Sequence, residues 1–319
     1  MTRTNLLLLA AIALALPLSL LAGRVWIDPL HPALAAAPAI LFELRLPRGV
    51  LALVVGAGLG GAGAAMQGYL RNPLADPGLF GIAPGAALGA VLALLTGASA
   101  AYALPLAALI GAGSAMALLA VIAGRTAGIT LFTLAGMMIA SLAGALTSLA
   151  ISLAPNPFAL SEIITWLMGA LTDRGWPDVW IAAPPTLVGL AVLIWAGREL
   201  DALTLGEDAA RSLGVEPRRV QALMILGVGL TVGAGVAVAG IIGFVGLMVP
   251  HLVRRFTDRR PSRLIVPSAL AGSLLVLVAD MLCRVMPLAG GELRLGIGLS
   301  LLGAPFFLLL LVRMRRGLA

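Results

Sequence analysis

The sequence predicts an all-α integral membrane protein of about ten transmembrane helices with short cytoplasmic helices between some of them. Three observations lead there. Of the 319 residues 61% are hydrophobic and only 11% charged, far more apolar surface than a water-soluble domain needs. Apolar residues fall into runs of about 20, the length an α-helix requires to cross the hydrocarbon layer. Gly (39) and Pro (20) are also frequent, which membrane helices tolerate better than soluble ones.

The runs lie near 5–23, 49–70, 79–97, 102–123, 129–154, 180–197, 220–242, 264–286 and 295–313, with a half-length run at 244–253. Residues 1–319 therefore read as a single transmembrane domain without a separate soluble part or low-complexity linker. The first run follows Arg3 and ends in small residues, as a signal peptide would. It is longer than a usual signal core and nine more runs follow, so it is expected to stay as the first span.

Ahead of the second run, Arg45-Leu-Pro-Arg48 is either a pair of interfacial arginines reaching lipid headgroups or a cationic patch for an acidic partner. Inside that run, Gly56-Ala-Gly58-Leu-Gly60-Gly61 fits a dinucleotide-loop pattern, but no strand precedes it. Small residues in an apolar helix instead permit close helix packing. Between the second and third runs, Arg71-Asn-Pro-Leu-Ala-Asp-Pro-Gly78 is long and stiff for a turn. Irregular backbone at membrane depth usually lines a cavity.

Between the runs ending at Arg198 and beginning at Val220 lies a polar segment, LGEDAARSLGV (205–215). Thr204 and Glu207 have capping-box spacing, Glu207 and Arg211 stand at i,i+4, Gly214 suits a helix stop and Pro217 a helix start. Residues 204–219 are expected to form two short helices with an elbow outside the lipid. In the 264–286 run, Asp280 precedes Arg284 by four residues. An intramembrane acid is a functional candidate, a proton relay included, yet this spacing also fits a structural ion pair.

With the amino terminus inside, fifteen of the 21 arginines are cytoplasmic and six (Arg24, Arg45, Arg48, Arg174, Arg284 and Arg294) lie outside. Arg125, Arg315 and Arg316 are among the fifteen. Trp26, Tyr102, Trp176 and Trp180 then mark the outer boundary, and both termini are cytoplasmic. A net charge of +7 would suggest nucleic acid in a soluble protein; here it is a topology signal, and no nucleic-acid partner is expected. His31 and His251 are the only histidines and Cys283 the only cysteine, so neither a metal centre, nor an intrachain disulfide, nor hydrolytic chemistry is expected. The chain contains no lysine and thus no Walker A motif.

RLPR (45–48), RNPLADPGLFGI (71–82), WLMGAL (166–171), LGEDAARSLGV (205–215), GFVGLMVPHLVRR (243–255), LLVLVADMLCR (274–284) and GELRLGIGLSLLGAPFFLLLLVR (291–313) occur in that order. Together they resemble the permease subunits of ATP-driven importers for iron–siderophore complexes, haem and vitamin B12. The resemblance implies about ten helices per subunit and a second, often identical, permease subunit. Two cytoplasmic ATPase subunits would hold the ATP and Mg²⁺, and a soluble substrate-binding protein would deliver the chelate. It implies ATPase coupling by Gly206, Glu207, Ala209, Ala210, Arg211, Leu213 and Gly214. Docking of the binding protein would fall to Arg45, Arg48 and Arg284, a gate to Asn72 and Leu74 with a second at Ile129 and Thr130, and pathway lining to the region of Trp166. The expected function is alternating-access import from periplasm to cytoplasm across the inner membrane. An iron–siderophore is the first choice, haem or cobalamin next, with no cofactor on this chain. A proton-coupled secondary transporter is the alternative; it predicts paired intramembrane acids and no cytoplasmic knob.

Overall fold

Apolar runs interrupted by Pro and Gly become helices whose ends coincide with those breakers. The computed structural model describes residues 3–23, 37–97, 102–124, 128–286 and 291–318; Arg24, Trp26, His31 and Arg125 lie outside them, as do the side chains of Arg315 and Arg316. The helices are α1 (Arg3–Leu21), α2 (Leu46–Tyr69), α3 (Ile82–Leu95), α4 (Ala103–Ala123), α5 (Ile129–Ser152) and α6 (Pro157–Leu167). They continue with α7 (Trp176–Leu203), α8 (Glu207–Ser212), α9 (Pro217–Ala239), α10 (Val245–Arg254), α11 (Pro261–Val285) and α12 (Leu295–Leu318).

Eight helices among the described residues are long and apolar enough to cross a membrane: α1, α2 with its preceding turn, α4, α5, α7, α9, α11 and α12. Three more are apolar but shorter: α3, α6 and α10. The half-length run at 244–253 is thus a short helix, as its length required. In the expected span at 79–97 the continuous helix is shorter than the run. Pro77–Phe80 forms a 3-10 turn, Gly81 takes φ 81°, and only 14 residues remain for α3. Helix α6 was not anticipated; Asn156 caps it by accepting from the Ala159 N–H at 2.9 Å, and Pro157 opens its first turn.

A second correction concerns RLPR. It does not precede the second span but lies inside a continuous helical stretch, Ile40–Tyr69, entered by a π-helical turn at Ile40–Arg45. Pro47 stands in the first turn of α2, where its missing N–H is no loss.

Helices α2 and α9 are the most enclosed, with 78% of their apolar stretch buried, against 6% for α1. Lipid offers no hydrophobic drive between helices, so close backbone approach has to come from small residues. In α2, Gly56 faces Gly272 of α11, Gly60 faces the Ser268 carbonyl, and Gly63 faces Gly246 of α10. The glycine-rich pattern in α2 is a packing face. At the far end of α2, Tyr69 meets Phe132 of α5 edge-on at 5.2 Å, and Phe80 lies 5.4 Å from the same ring.

A side chain at Gly60 would put its Cβ 2.2 Å from the Ser268 carbonyl oxygen, whereas Gly113 has open space. Gly60→Leu should therefore lower the thermal unfolding midpoint in detergent, costing about 1–3 kcal/mol or more. Gly113→Ala should leave it unchanged, and equal behaviour of the two would refute the packing assignment.

Candidate docking, gate and pathway sites

The expected docking arginines come together at one end of the bundle, but in a different state from the exposed patch that the sequence suggested. Arg48 donates to both carboxylate oxygens of Asp280, from Nε at 3.1 and 3.0 Å and from Nη2 at 2.8 Å. Its Nη1 reaches Glu292 Oε2 at 2.8 Å. Arg284 Nε approaches Asp280 at 3.2 Å, and its Nη2 donates to Ser19 Oγ of α1. Arg48 is 9% exposed, Arg284 3% and Asp280 fully enclosed. Desolvating a guanidinium costs several kcal/mol and is sustained only by a partner, which Asp280 supplies twice. The i,i+4 pair is therefore present but is half of a larger cluster. Arg45 is partly exposed and donates to the Leu20 and Leu21 carbonyls at 2.8 and 2.9 Å, satisfying acceptors left over at the end of α1.

At the other end of α7 lies the polar segment. Helix α8 is six residues long and begins after Gly206, whose φ of 104° turns the chain. Thr204 does not form the expected capping box; its hydroxyl donates to the Asp201 carbonyl instead. The second short helix is also absent, because Pro217 opens the long α9 directly. The stop is as the sequence suggested. Gly214 has φ 82°, its N–H donates to Arg211 O at 2.9 Å, and Val215 N–H donates to Ala210 O at 3.0 Å, a Schellman ending. Arg211 holds Glu207 at 3.3 Å and Asp208 at 3.0 Å on the exposed face. Ala209 is exposed, whereas Ala210 is fully buried against the chain. Leu205 and Leu213 project into solvent at 67% and 65% exposure. Two contacts brace the flanking helices: Arg219 lies 4.9 Å over the Trp195 ring and 3.6 Å from Glu199.

The segment after α2 folds tightly on itself. Asn72 Oδ1 accepts from the Leu74 N–H at 2.9 Å, and Asp76 Oδ1 accepts from the Gly78 N–H at 2.8 Å. Burial raises the Asp76 pKa, while the hydrogen bond from the Gly78 N–H opposes that rise. Ile129 packs half-buried at the start of α5, and Thr130 beside it is exposed. Trp166 is 8% exposed at the end of α6. Beyond it the WLMGAL backbone is stitched to two other helices. Ala170 N–H donates to Ala239 O at 2.8 Å, and Gly296 N–H donates to Gly169 O at 3.0 Å. Gly169 takes φ 68° within 2.2 Å, measured from a built Cβ, of the Ile241 carbonyl, so no other residue fits there. The segment thus bridges the break between α9 and α10 and the start of α12.

Several functional-looking groups escaped the sequence reading. Glu292 completes the arginine cluster from a loop. Gln67 is 3% exposed in the last turn of α2, and Asp201 of α7 accepts from the Ser262 N–H at 2.9 Å and from its hydroxyl. A lone Gln in a run of apolar residues was the available signal for the second of these.

A helical membrane bundle with a rigid polar knob at one end, an arginine cluster at the other and a folded loop reaching its interior has the architecture of a transport permease. Residues 7–313 match the FecCD transport family, and the chain belongs to it, as an ABC importer permease. It is 38% identical over 318 residues to the vitamin B12 import system permease protein BtuC of Vibrio cholerae serotype O1, covering 98% of this chain and 94% of that protein. It is 39% identical over 285 residues to the uncharacterized ABC transporter permease protein YvrB of Bacillus subtilis, covering 87% and 80%. Among solved structures it resembles a provisionally assigned metal-chelate type ABC transporter in an inward-facing conformation, with TM-score 0.89 and 30% identity over 97% of this chain and 98% of that one.

Asp280→Asn would leave Arg48 with Glu292 and take from Arg284 the carboxylate it pairs with. Removing one partner of a buried pair costs about 3–5 kcal/mol, so the variant should unfold at markedly lower temperature in detergent. A midpoint equal to that of the unaltered protein would show that the cluster contributes nothing.

Proposed function

We propose that this chain is the permease of an importer that carries an intact metal chelate from periplasm to cytoplasm across the inner membrane by alternating access. Two copies would form the pathway, with two ATPase subunits beneath and a substrate-binding protein above. The observation that carries this reading is α8, a knob set between α7 and α9, braced internally and closed at its carboxyl end, with Asp208, Ala209 and Arg211 exposed. A segment that transmits motion by docking has to be stiff, and Schellman closure together with the Glu207–Arg211–Asp208 bracing makes it so. ATP binding would belong to the partners, since the chain has no Walker lysine.

Cobalamin becomes the first candidate, ahead of a siderophore or haem, because relatives 38% and 37% identical over nearly the whole chain are named for vitamin B12 import. The second permease copy would cover the side of α5 that presents Leu134, Met138 and Leu142 outward. Asn72 and Leu74 would form one gate, Ile129 and Thr130 another, and the Trp166 segment would line the pathway. At the outer end, Arg45 is the arginine best placed to meet an acidic lobe of the binding protein. Arg48 and Arg284 would add fixed positive charge behind it. Proton coupling has no support from Asp280, which two guanidiniums already hold.

Proteoliposomes holding the permease, its cognate ATPase and its binding protein should accumulate cobalamin only with ATP inside the ATPase compartment. Accumulation driven by a proton gradient without ATP would overturn the reading. In the same system Ala209→Arg should abolish stimulated ATP hydrolysis or complex assembly while the permease still inserts; full uptake by that variant would remove α8 from the docking surface. Arg45→Glu should weaken binding-protein affinity about tenfold, equivalent to ~1.4 kcal/mol. That affinity should also decline with added salt in the unaltered protein.

A further inference from the structure

Helix α10 carries a defect that its neighbour repairs. Pro250 lies inside it and has no N–H, so the Gly246 carbonyl lacks its helical donor. In lipid such an acceptor must be satisfied by protein. Gln67 of α2 does so: its Nε2 donates to the Gly246 and Leu247 carbonyls at 3.4 and 3.2 Å. The other end of the same amide, Oε1, accepts from Arg254 Nη2 at 2.8 Å. One side chain therefore grips α10 near its first turn and at its last.

Nine residues later the chain returns to the same helix. Asp76 is buried close to Leu247 in the first turn of α10, a helix whose own N-cap residue makes no side-chain cap. Pro77 closes over Gly246, where a built Cβ would lie 2.6 Å from the proline ring. The intervening loop holding Asn72 and Leu74 is thus fastened to α10 on both sides. Beside this assembly is a cavity of about 200 Å³, bounded by Val55, Leu59, Asp76, Pro77 and the stretch between α9 and α10. The loop and the short helix have room to shift together.

The cytoplasm-side elbow after α10 is tied to the knob. Asp201, six residues before Glu207, caps the first turn of α11 through the Ser262 N–H and hydroxyl. A displacement of α8 acts on the end of α7, and through Asp201 on the elbow between Arg254 and Pro261.

We infer that Gln67, Asp76 and Arg254 are positioning residues that join the 70–78 loop and α10 into one moving body, driven from α8 through the Asp201–Ser262 attachment. This rests on the permease reading above. The test uses the full complex in proteoliposomes, with uptake and ATP hydrolysis measured together. The probe is whichever of cobalamin, ferrichrome and haemin the unaltered protein imports. Gln67→Leu and Arg254→Gln should keep ATP hydrolysis but lower uptake per ATP by about two- to thirty-fold. Arg254→Lys, which keeps a donor for Gln67, should recover most of it. Uptake per ATP equal to that of the unaltered protein in both of the first two variants would overturn the inference.

A second measurement stands without transport. Spin labels at Leu74→Cys and Leu252→Cys, in a Cys283→Ser background, should report one narrow distance with and without ATP. In Arg254→Gln that distance should broaden. A distance that changes with ATP in the otherwise unaltered protein, or one indifferent to Arg254→Gln, would refute the single-body assignment. Failure of the unaltered complex to import any probe would instead strike the permease reading, and the distances would still decide the clamp.

Discussion

The centre of this bundle is α2, against which α7, α9, α10 and α11 pack, and its close approaches depend on a face made of glycine. At Gly56, Gly60 and Gly63 the neighbouring helices come so near that even a methyl group would collide with backbone. In water such closeness could be traded against better side-chain burial. In lipid, dispersion contacts and short backbone approaches are most of what holds helices together. The wall of α11 on one side and the short α10 on another both depend on this surface.

The same helix carries a polar group at each end of its buried stretch, and both follow one rule. Arg48 is enclosed with two carboxylates, and Gln67 with two carbonyls and a guanidinium. Neither group stands alone, because an unpaired charge or amide in this environment costs more than the helix gains by burying it. Many of the polar contacts occupy the ends of elements that are short, broken or turning: the end of α1, the loop before α12, the proline-bearing α10 and the start of α11. Ser273 of α11, which donates to the Leu53 carbonyl of α2, is a contact between two helix interiors.

Membrane character, most of the long runs, the short α10 and the stop at Gly214 were legible because each depends on local composition or on one residue's backbone preference. The shortness of α3 was not. Its apolar run is of spanning length, and only the folding of Pro77–Gly81 into a turn removes the first residues. The exposed reading of RLPR failed for a different reason. Arginines at the edge of an apolar run look interfacial until their counter-charges are known, and Asp280 and Glu292 are more than 230 residues away in sequence. The capping box at Thr204 lost to Gly206, which could adopt the positive φ that the tighter entry into α8 demands. The roles given to Asn72, Leu74, Ile129, Thr130 and Trp166 came from resemblance. Their types alone would not have singled them out.

The sequence distance between Arg48 and its partners has a bearing on biogenesis. A chain made from its amino terminus presents Arg48 to the membrane long before Asp280, and later still Glu292, has been synthesised. Until then the guanidinium has no carboxylate and must stay hydrated or near headgroups. Closure of the cluster joins the second long helix to the last two segments and so comes only when nearly the whole polypeptide is present. The ion cluster is in that sense a completion mark: a chain truncated before Asp280 would keep Arg48 without either of these carboxylates.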